Sequence, residues 1–181
     1  DKIKFSFDTS FQLEILRYII QDKEGCLVLS RVKPNYLVLI EHSLICEGLH
    51  KYYKKKKRIP SENVLKEVIK ELLEGKDYVD LVTKDDIPNI NKIIKNLYSL
   101  PLRDGDYIQD KIYQFATYVE MRNLNESFDL DDFHQYEEYS KKVDRILQKA
   151  KPKEAEAPAY LIKDITERQF LRQSNPEAIP C

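Results

Sequence analysis

The chain has 181 residues, with 30 Lys and Arg against 31 Asp and Glu, and its formal net charge of −1 gives no overall attraction to nucleic acid or to an anionic membrane. Four Gly and no Trp, beside 12 Tyr, 7 Phe and many Ile and Leu, disfavour an all-β or Gly-rich architecture and supply an apolar core. The charge is uneven: residues 1–60 carry a net +5, residues 61–150 a net −6 and residues 151–181 none.

The spacing predicts an all-α fold. Ser10 is placed to N-cap a first helix in which Phe11, Ile15, Tyr18 and Ile19 share one face, ending near Asp22. Gly25 opens the short apolar run Cys26-Leu27-Val28-Leu29, expected to be helical like its neighbours. Lys33-Pro34-Asn35 breaks the chain. From Tyr36 onward Leu37, Ile40, Leu44, Ile45, Leu49 and Tyr52 mark a long, central helix.

Ser61 caps the next helix, whose expected face is Val64, Leu65, Val68 and Leu72, with Gly75 at its end. Asp85 or Asp86 starts another, with Pro88 in its first turn and a stripe of Ile90, Ile93, Ile94 and Leu97 before Pro101. Residues 106–127 read as one long helix with two apolar stripes. Ile108, Ile112, Phe115 and Val119 make the first; Thr117, Met121, Leu124 and Phe128 make a second, rotated away from it.

A helix capped by Asp129 or Asp131 returns through Phe133, Tyr136, Val143, Leu147 and Ala150 to complete a helical hairpin. After Lys151 a Pro-Lys-Glu-Ala tether leads to an amphipathic segment over 160–173 with Leu161, Ile165, Phe170 and Leu171 on its apolar side. The expected organisation is therefore a helical head (1–103), a hairpin (104–150) and a linker with a docking helix (151–181). Met121, Leu124 and Phe128 are the expected oligomer contact, because one antiparallel partner cannot cover both stripes.

Chemistry-bearing constellations are sparse. Cys26, Cys46 and Cys181 are odd in number and widely spaced, which excludes a disulfide framework or a CxxC zinc site and points to a reducing, cytoplasmic compartment. No apolar run approaches the roughly 18–20 residues of a membrane span, so no membrane partner is expected. Gly75-Lys76-Asp77 lacks the upstream Gly and the Ser or Thr of a phosphate loop, and no ATP turnover is expected of this chain.

His42 and His50 are eight apart with no third ligand in register, and a structural His bonded to a carbonyl is the better expectation. His134, beside Asp131 and Asp132, fits surface capping. The run Lys51-Tyr52-Tyr53-Lys54-Lys55-Lys56-Lys57-Arg58 sets cations beside aromatics, as single-strand binders do, although a solvated helix end has the same composition. Lys54, Lys55, Lys56, Lys57 and Arg58 are its candidate nucleic-acid contacts. The acidic sign of the middle of the chain argues against phosphate tracking there.

Taken in order, Phe11-x-Leu13-x-x-Leu16-x-x-Ile19, Val32-Lys33-Pro34-Asn35-Tyr36, Glu41-His42-Ser43-Leu44-Ile45 and Arg58-Ile59-Pro60-Ser61-x-x-Val64-Leu65 form a pattern. It resembles the N-terminal domain of DnaB-type replicative DNA helicases of bacteria and phages, with Ser61 where that family usually has Asp. Tyr118-Val119-Glu120-Met121-Arg122 and the stretch from Tyr136-Glu137 to Ile146-Leu147 resemble its two hairpin helices.

The resemblance covers about residues 10–150. It implies a collar module in DNA replication, with dimers assembling to a hexamer around DNA, and primase and a helicase loader as partners. It also implies a docking helix at 160–173 and an ATPase domain beyond Cys181 that would take ATP and Mg²⁺. No cofactor is expected on this chain itself, and none of that family's nucleotide-binding residues can be assigned to it. The missing initiator Met and the stop at Pro180-Cys181 fit a piece of a longer protein. A stand-alone nucleic-acid-binding or adaptor protein using Lys51–Arg58 is the alternative.

Overall fold

The computed structural model describes residues 7–75, 78, 81–83, 85–129 and 133–150. Among them the chain is all-helical. Seven α-helices run in order: α1 (Thr9–Gln21), α2 (Gly25–Leu29), α3 (Ile40–Lys56), α4 (Glu62–Leu73), α5 (Ile87–Ser99), α6 (Gly105–Ser127) and α7 (Tyr136–Gln148). Short 3-10 turns at Pro34–Tyr36 and Phe133–Gln135 precede α3 and α7.

Helix α1 is the hub, not the expected central helix α3. Ile15, Leu16 and Ile19 have no exposed surface, and α2, α3, α5 and α6 all pack against α1. Its cap is Asp8 rather than Ser10: the Asp8 carboxylate accepts from the Phe11 N–H at 2.9 Å, the geometry that satisfies an orphan donor of the first turn. α2 is helical as expected, and Gly25 is required there by a close approach. A Cβ at Gly25 would press into the backbone carbonyl of Ile19.

Two glutamines of α1 carry the polar part of the packing. Gln12 accepts from the Val38 N–H at 2.8 Å, which holds the extended link before α3. Gln21 donates to the carbonyls of Leu97 and Leu100, at 2.6 and 2.7 Å, and accepts from the Leu102 N–H at 3.0 Å. It thereby satisfies the end of α5 and aims the chain into α6.

The long helix does not begin at Tyr36. Pro34–Tyr36 is a 3-10 turn, Leu37–Leu39 is non-helical, and α3 starts at Ile40. The Tyr36 hydroxyl donates to Glu120 Oε1 at 2.8 Å, tying this turn to α6; burial, then that bond to a carboxylate, pushes the phenol pKa up. Ser61 holds the N-cap position of α4, whose buried residues are Leu65 and Ile69. Val64 and Val68 lie outside that face. Gly48 admits α4 closely, since a Cβ there would stand 3.1 Å from both Leu65 and Ile69.

Helix α5 starts after Asp86 and buries Ile90, Ile94 and Leu97. The first stripe of α6 is buried as expected, with Ile108, Ile112, Phe115 and Val119 all in the same core as α1. The division expected at 103/104 therefore runs through a continuous core. The return helix starts later than expected: Asp131 and Asp132 lie outside the described residues, and α7 begins at Tyr136 with Gln135 in the cap position.

Replacing Gly25 by Ala should cost about 1–3 kcal/mol, as overpacking against an immovable backbone does. Thermal melts of Gly25→Ala beside the parent check this; an unchanged midpoint would refute the close approach.

Candidate functional site

Two surfaces come from the candidate residues: the hairpin of α6 and α7, and the end of α3. In the hairpin, Leu124 is not available to a second chain as expected. It is only 7 % exposed, covered within one chain, while Met121 and Phe128 are half-buried. The periodicity located the stripe correctly, but the 3-10 turn and α7 approach Leu124 from the same molecule.

The more exposed apolar surface lies on α7 instead. No residue of this 13-residue helix is buried, yet it is strongly amphipathic. Tyr139, Val143 and Ile146 are half-buried toward α6, with the Phe128 and Tyr139 rings edge to face at 5.3 Å and the Tyr139 hydroxyl donating to Asn125 Oδ1 at 2.6 Å. Tyr136 and Leu147 are 42 % and 52 % exposed, and Phe133 in the preceding turn is exposed further. Intrahelical pairs Lys141–Glu137 and Lys142–Glu138 occupy the solvated side. These pairs are exposed and add little stability.

The basic run ends α3. Lys54, Lys55, Lys56, Lys57 and Arg58 are all exposed, Tyr52 and Tyr53 half-buried. Lys57 adopts a left-handed backbone, φ 55°, and donates its N–H to the Tyr53 carbonyl at 2.8 Å, closing the helix as a Gly would. Lys51 pairs with Glu71 of α4 at 3.2 Å. Tyr52 lines a shallow groove with Lys55, Lys56, Val64 and Val68, so this aromatic is accessible beside two cations.

The histidines do not converge on a metal site. Among the described residues no group of three or more His, Cys, Asp or Glu is arranged to hold an ion. His50 lies with Nε2 2.7 Å from the Val32 carbonyl, the structural role expected of it. His42 is 4 % exposed with Nδ1 unpartnered, and burial lowers its pKa despite the neighbouring Glu41. The Cys46 thiol is buried with its pKa pushed up to about 12 by burial, then by Glu47, so it is a core group and no nucleophile. Periodicity misses Arg17, an almost fully buried cation on α1 that pairs with Glu14 one turn earlier.

Leu161, Ile165, Phe170 and Leu171, the expected docking residues, lie outside the described residues, as does Cys181. No described helix is long and apolar enough to cross a membrane. Comparison with protein-family models, curated proteins and solved structures finds no match to this chain.

The lowered pKa of His42 gives a pH dependence with a definite sign. The unfolded chain binds a proton at His42 more readily than the folded one, so stability rises with pH across that window. The contribution is complete above the unfolded pKa of about 6.5 and falls away as pH drops through it. Denaturant unfolding of the parent and of His42→Gln from about pH 8 to about pH 5 checks this, because the stability difference between them should change over that range. A constant difference would refute it.

Proposed function

We propose that the chain is the assembly and partner-binding module of a replicative DNA helicase, forming the N-terminal collar of a hexameric ring. The observation that carries this reading is α7, an amphipathic helix with no buried residue, whose Tyr136 and Leu147 remain exposed after α6 has covered one side. Such a stripe on a monomer marks a contact. The order of motifs from Phe11 to Leu147, with its resemblance to DnaB-type N-terminal domains, supplies the identity of that contact: hairpin against hairpin, dimers closing to a hexamer around DNA.

The mechanism is geometric. Pairing gathers subunits, and the tether would couple the collar to an ATPase domain following it. Primase and a helicase loader are the partners implied by the resemblance, and ATP with Mg²⁺ would belong to that other domain.

Full burial of a side chain such as Leu is worth about 1.5–3 kcal/mol, so several supplied by each copy offset much of the entropy lost on association. Leu147→Asp should therefore yield a folded monomer with unchanged helicity. Leu44→Asp, on a residue with no exposed surface, should unfold the head. Sedimentation and circular dichroism of both variants decide it; a Leu147→Asp protein that self-associates like the parent, or a parent monomeric at high concentration, removes the reading.

The second reading, a stand-alone nucleic-acid-binding or adaptor protein, is favoured by half-buried Tyr52 lining a groove with Lys55 and Lys56. Replacing Lys54, Lys55, Lys56 and Lys57 together by Gln distinguishes the two. Under the assembly reading oligomeric state is unchanged and single-strand affinity falls only at low salt. Loss of tight binding at physiological salt would favour the second reading.

A further inference from the structure

A cleft of about 360 Å³ opens between the 3-10 turn before α3, the C-terminal half of α6, and α7. Lys33, Arg145 and Lys149 line it together with Asn35, Asn123 and Ser127. Arg145 and Lys149 come from one end of the hairpin and Lys33 from a segment more than a hundred residues earlier; all three are exposed, and among the described residues none has a carboxylate within ion-pair distance. Lys33 lies over the Tyr36 ring at 5.6 Å. Lys142 also borders the cleft but is already committed, bridged to Glu138 at 2.8 Å and stacked over Phe128 at 4.7 Å.

This concentration runs against the local composition. Residues 61–150 carry a net −6, yet Arg145 in the last turn of α7 and Lys149, the residue that caps that helix, line the same cleft as Lys33 from the basic first third of the chain. Unpaired like charges in a concave site repel one another, focus the field outward and favour an anion that sits among them. Charge count and donor type select the anion. Three cations with two amides and a hydroxyl exceed what one carboxylate needs, and they suit phosphate oxygens, with Arg145 able to donate two parallel bonds.

Among the described residues lining the cleft the one aromatic ring, Tyr36, is buried with its hydroxyl engaged by Glu120, so these residues offer no platform to a base. We propose that this cleft holds successive phosphates of a nucleic-acid backbone, binding without reading sequence. The acidic sign of the middle of the chain, which by itself argues against such a role, is overridden by the fold that groups these cations.

Glu120 supplies an internal control. Its Oε1 accepts from Tyr36, while Oε2 is buried without a donor and its charge opposes any anion in the cleft. Glu120→Gln keeps an acceptor for Tyr36 and removes that charge. The test is anisotropy of a labelled oligothymidylate titrated with the full chain over a salt series, with oligomeric state recorded by sedimentation on the same samples.

The Arg145→Gln, Lys149→Gln double variant should bind more weakly, with the slope of log K against log salt reduced by about 0.7 for each cation removed, and Glu120→Gln should bind more tightly than the parent. Affinity and slope unchanged in the double variant overturn the proposal. So does displacement of the strand by polyglutamate or by inorganic phosphate at matched charge concentration, which would assign the cleft to an acidic protein segment or to free phosphate. Because the proposal does not need the collar, lost strand binding in variants that still self-associate implicates the cleft alone, whereas a parent that binds the strand and stays monomeric at high concentration removes only the collar.

Discussion

Everything in the head depends on the burial of α1. A helix enclosed by four others must be apolar on nearly every side, and Ile15, Leu16 and Ile19 meet that demand. Its polar exceptions must be bonded, since a buried polar group without a partner costs about 1–3 kcal/mol. Gln12, buried near the start of α1, is bonded to the link entering α3, and Arg17, also buried, pairs with Glu14; Gln21, exposed at the far end of α1, is bonded to the end of α5. Apolar burial is indifferent to small rotations, whereas these amides are directional, so they convert a hydrophobic bundle into one with defined helix positions. Gln21 in particular sets where α6 begins, and α6 carries the hairpin.

The two ends of α6 have different tasks. Its first four turns complete the head core through Ile108, Ile112, Phe115 and Val119. Beyond Val119, among the described residues, the head meets α6 through the Tyr36 hydroxyl on Glu120 and the cleft it shares with the 3-10 turn before α3, and α7 is the main remaining neighbour. One narrow helix cannot enclose another, which is why α7 has apolar residues but no buried one. The incomplete burial belongs to the hairpin's position beyond the head, and a poorly apolar sequence is not its cause.

Helix existence was legible because 3.6-residue periodicity and Pro or Gly punctuation are strong over lengths such as 87–99. The first stripe of α6 and the helical character of Gly25–Leu29 follow from the same signals. Boundaries were less legible. Asp8 and Ser10 are both good caps, and only the distance from the Asp8 carboxylate to the Phe11 N–H separates them. Tyr36 and Leu37 sit in phase with α3, yet Pro34 favours a tight 3-10 turn that ends before the helix starts.

Leu124 shows a different limit: a stripe announces that something covers it, without saying whether the cover is intramolecular. Of the row expected along the return helix, Phe133, Tyr136 and Leu147 are left exposed. The cleft was illegible for a related reason. Lys33 and Arg145 are more than a hundred residues apart, and only the fold makes them neighbours.

The geometry of α7 decides whether the two proposed surfaces compete. At about 100° per residue, Tyr136 and Leu147 fall within about 20° of each other around the helix. Arg145 and Lys149 lie about 140–180° away from them, and Tyr139, Val143 and Ile146, which face α6, fall on one of the two flanks between. A second copy seated on Tyr136 and Leu147 would therefore leave the basic wall uncovered, and a phosphate backbone in the cleft would not displace it. The same short helix can join subunits by one edge and present cations by the other. In the proposed ring that arrangement would repeat the cationic edge once per subunit, so a strand meeting several clefts would be held by the product of weak contacts and released as salt screens each of them.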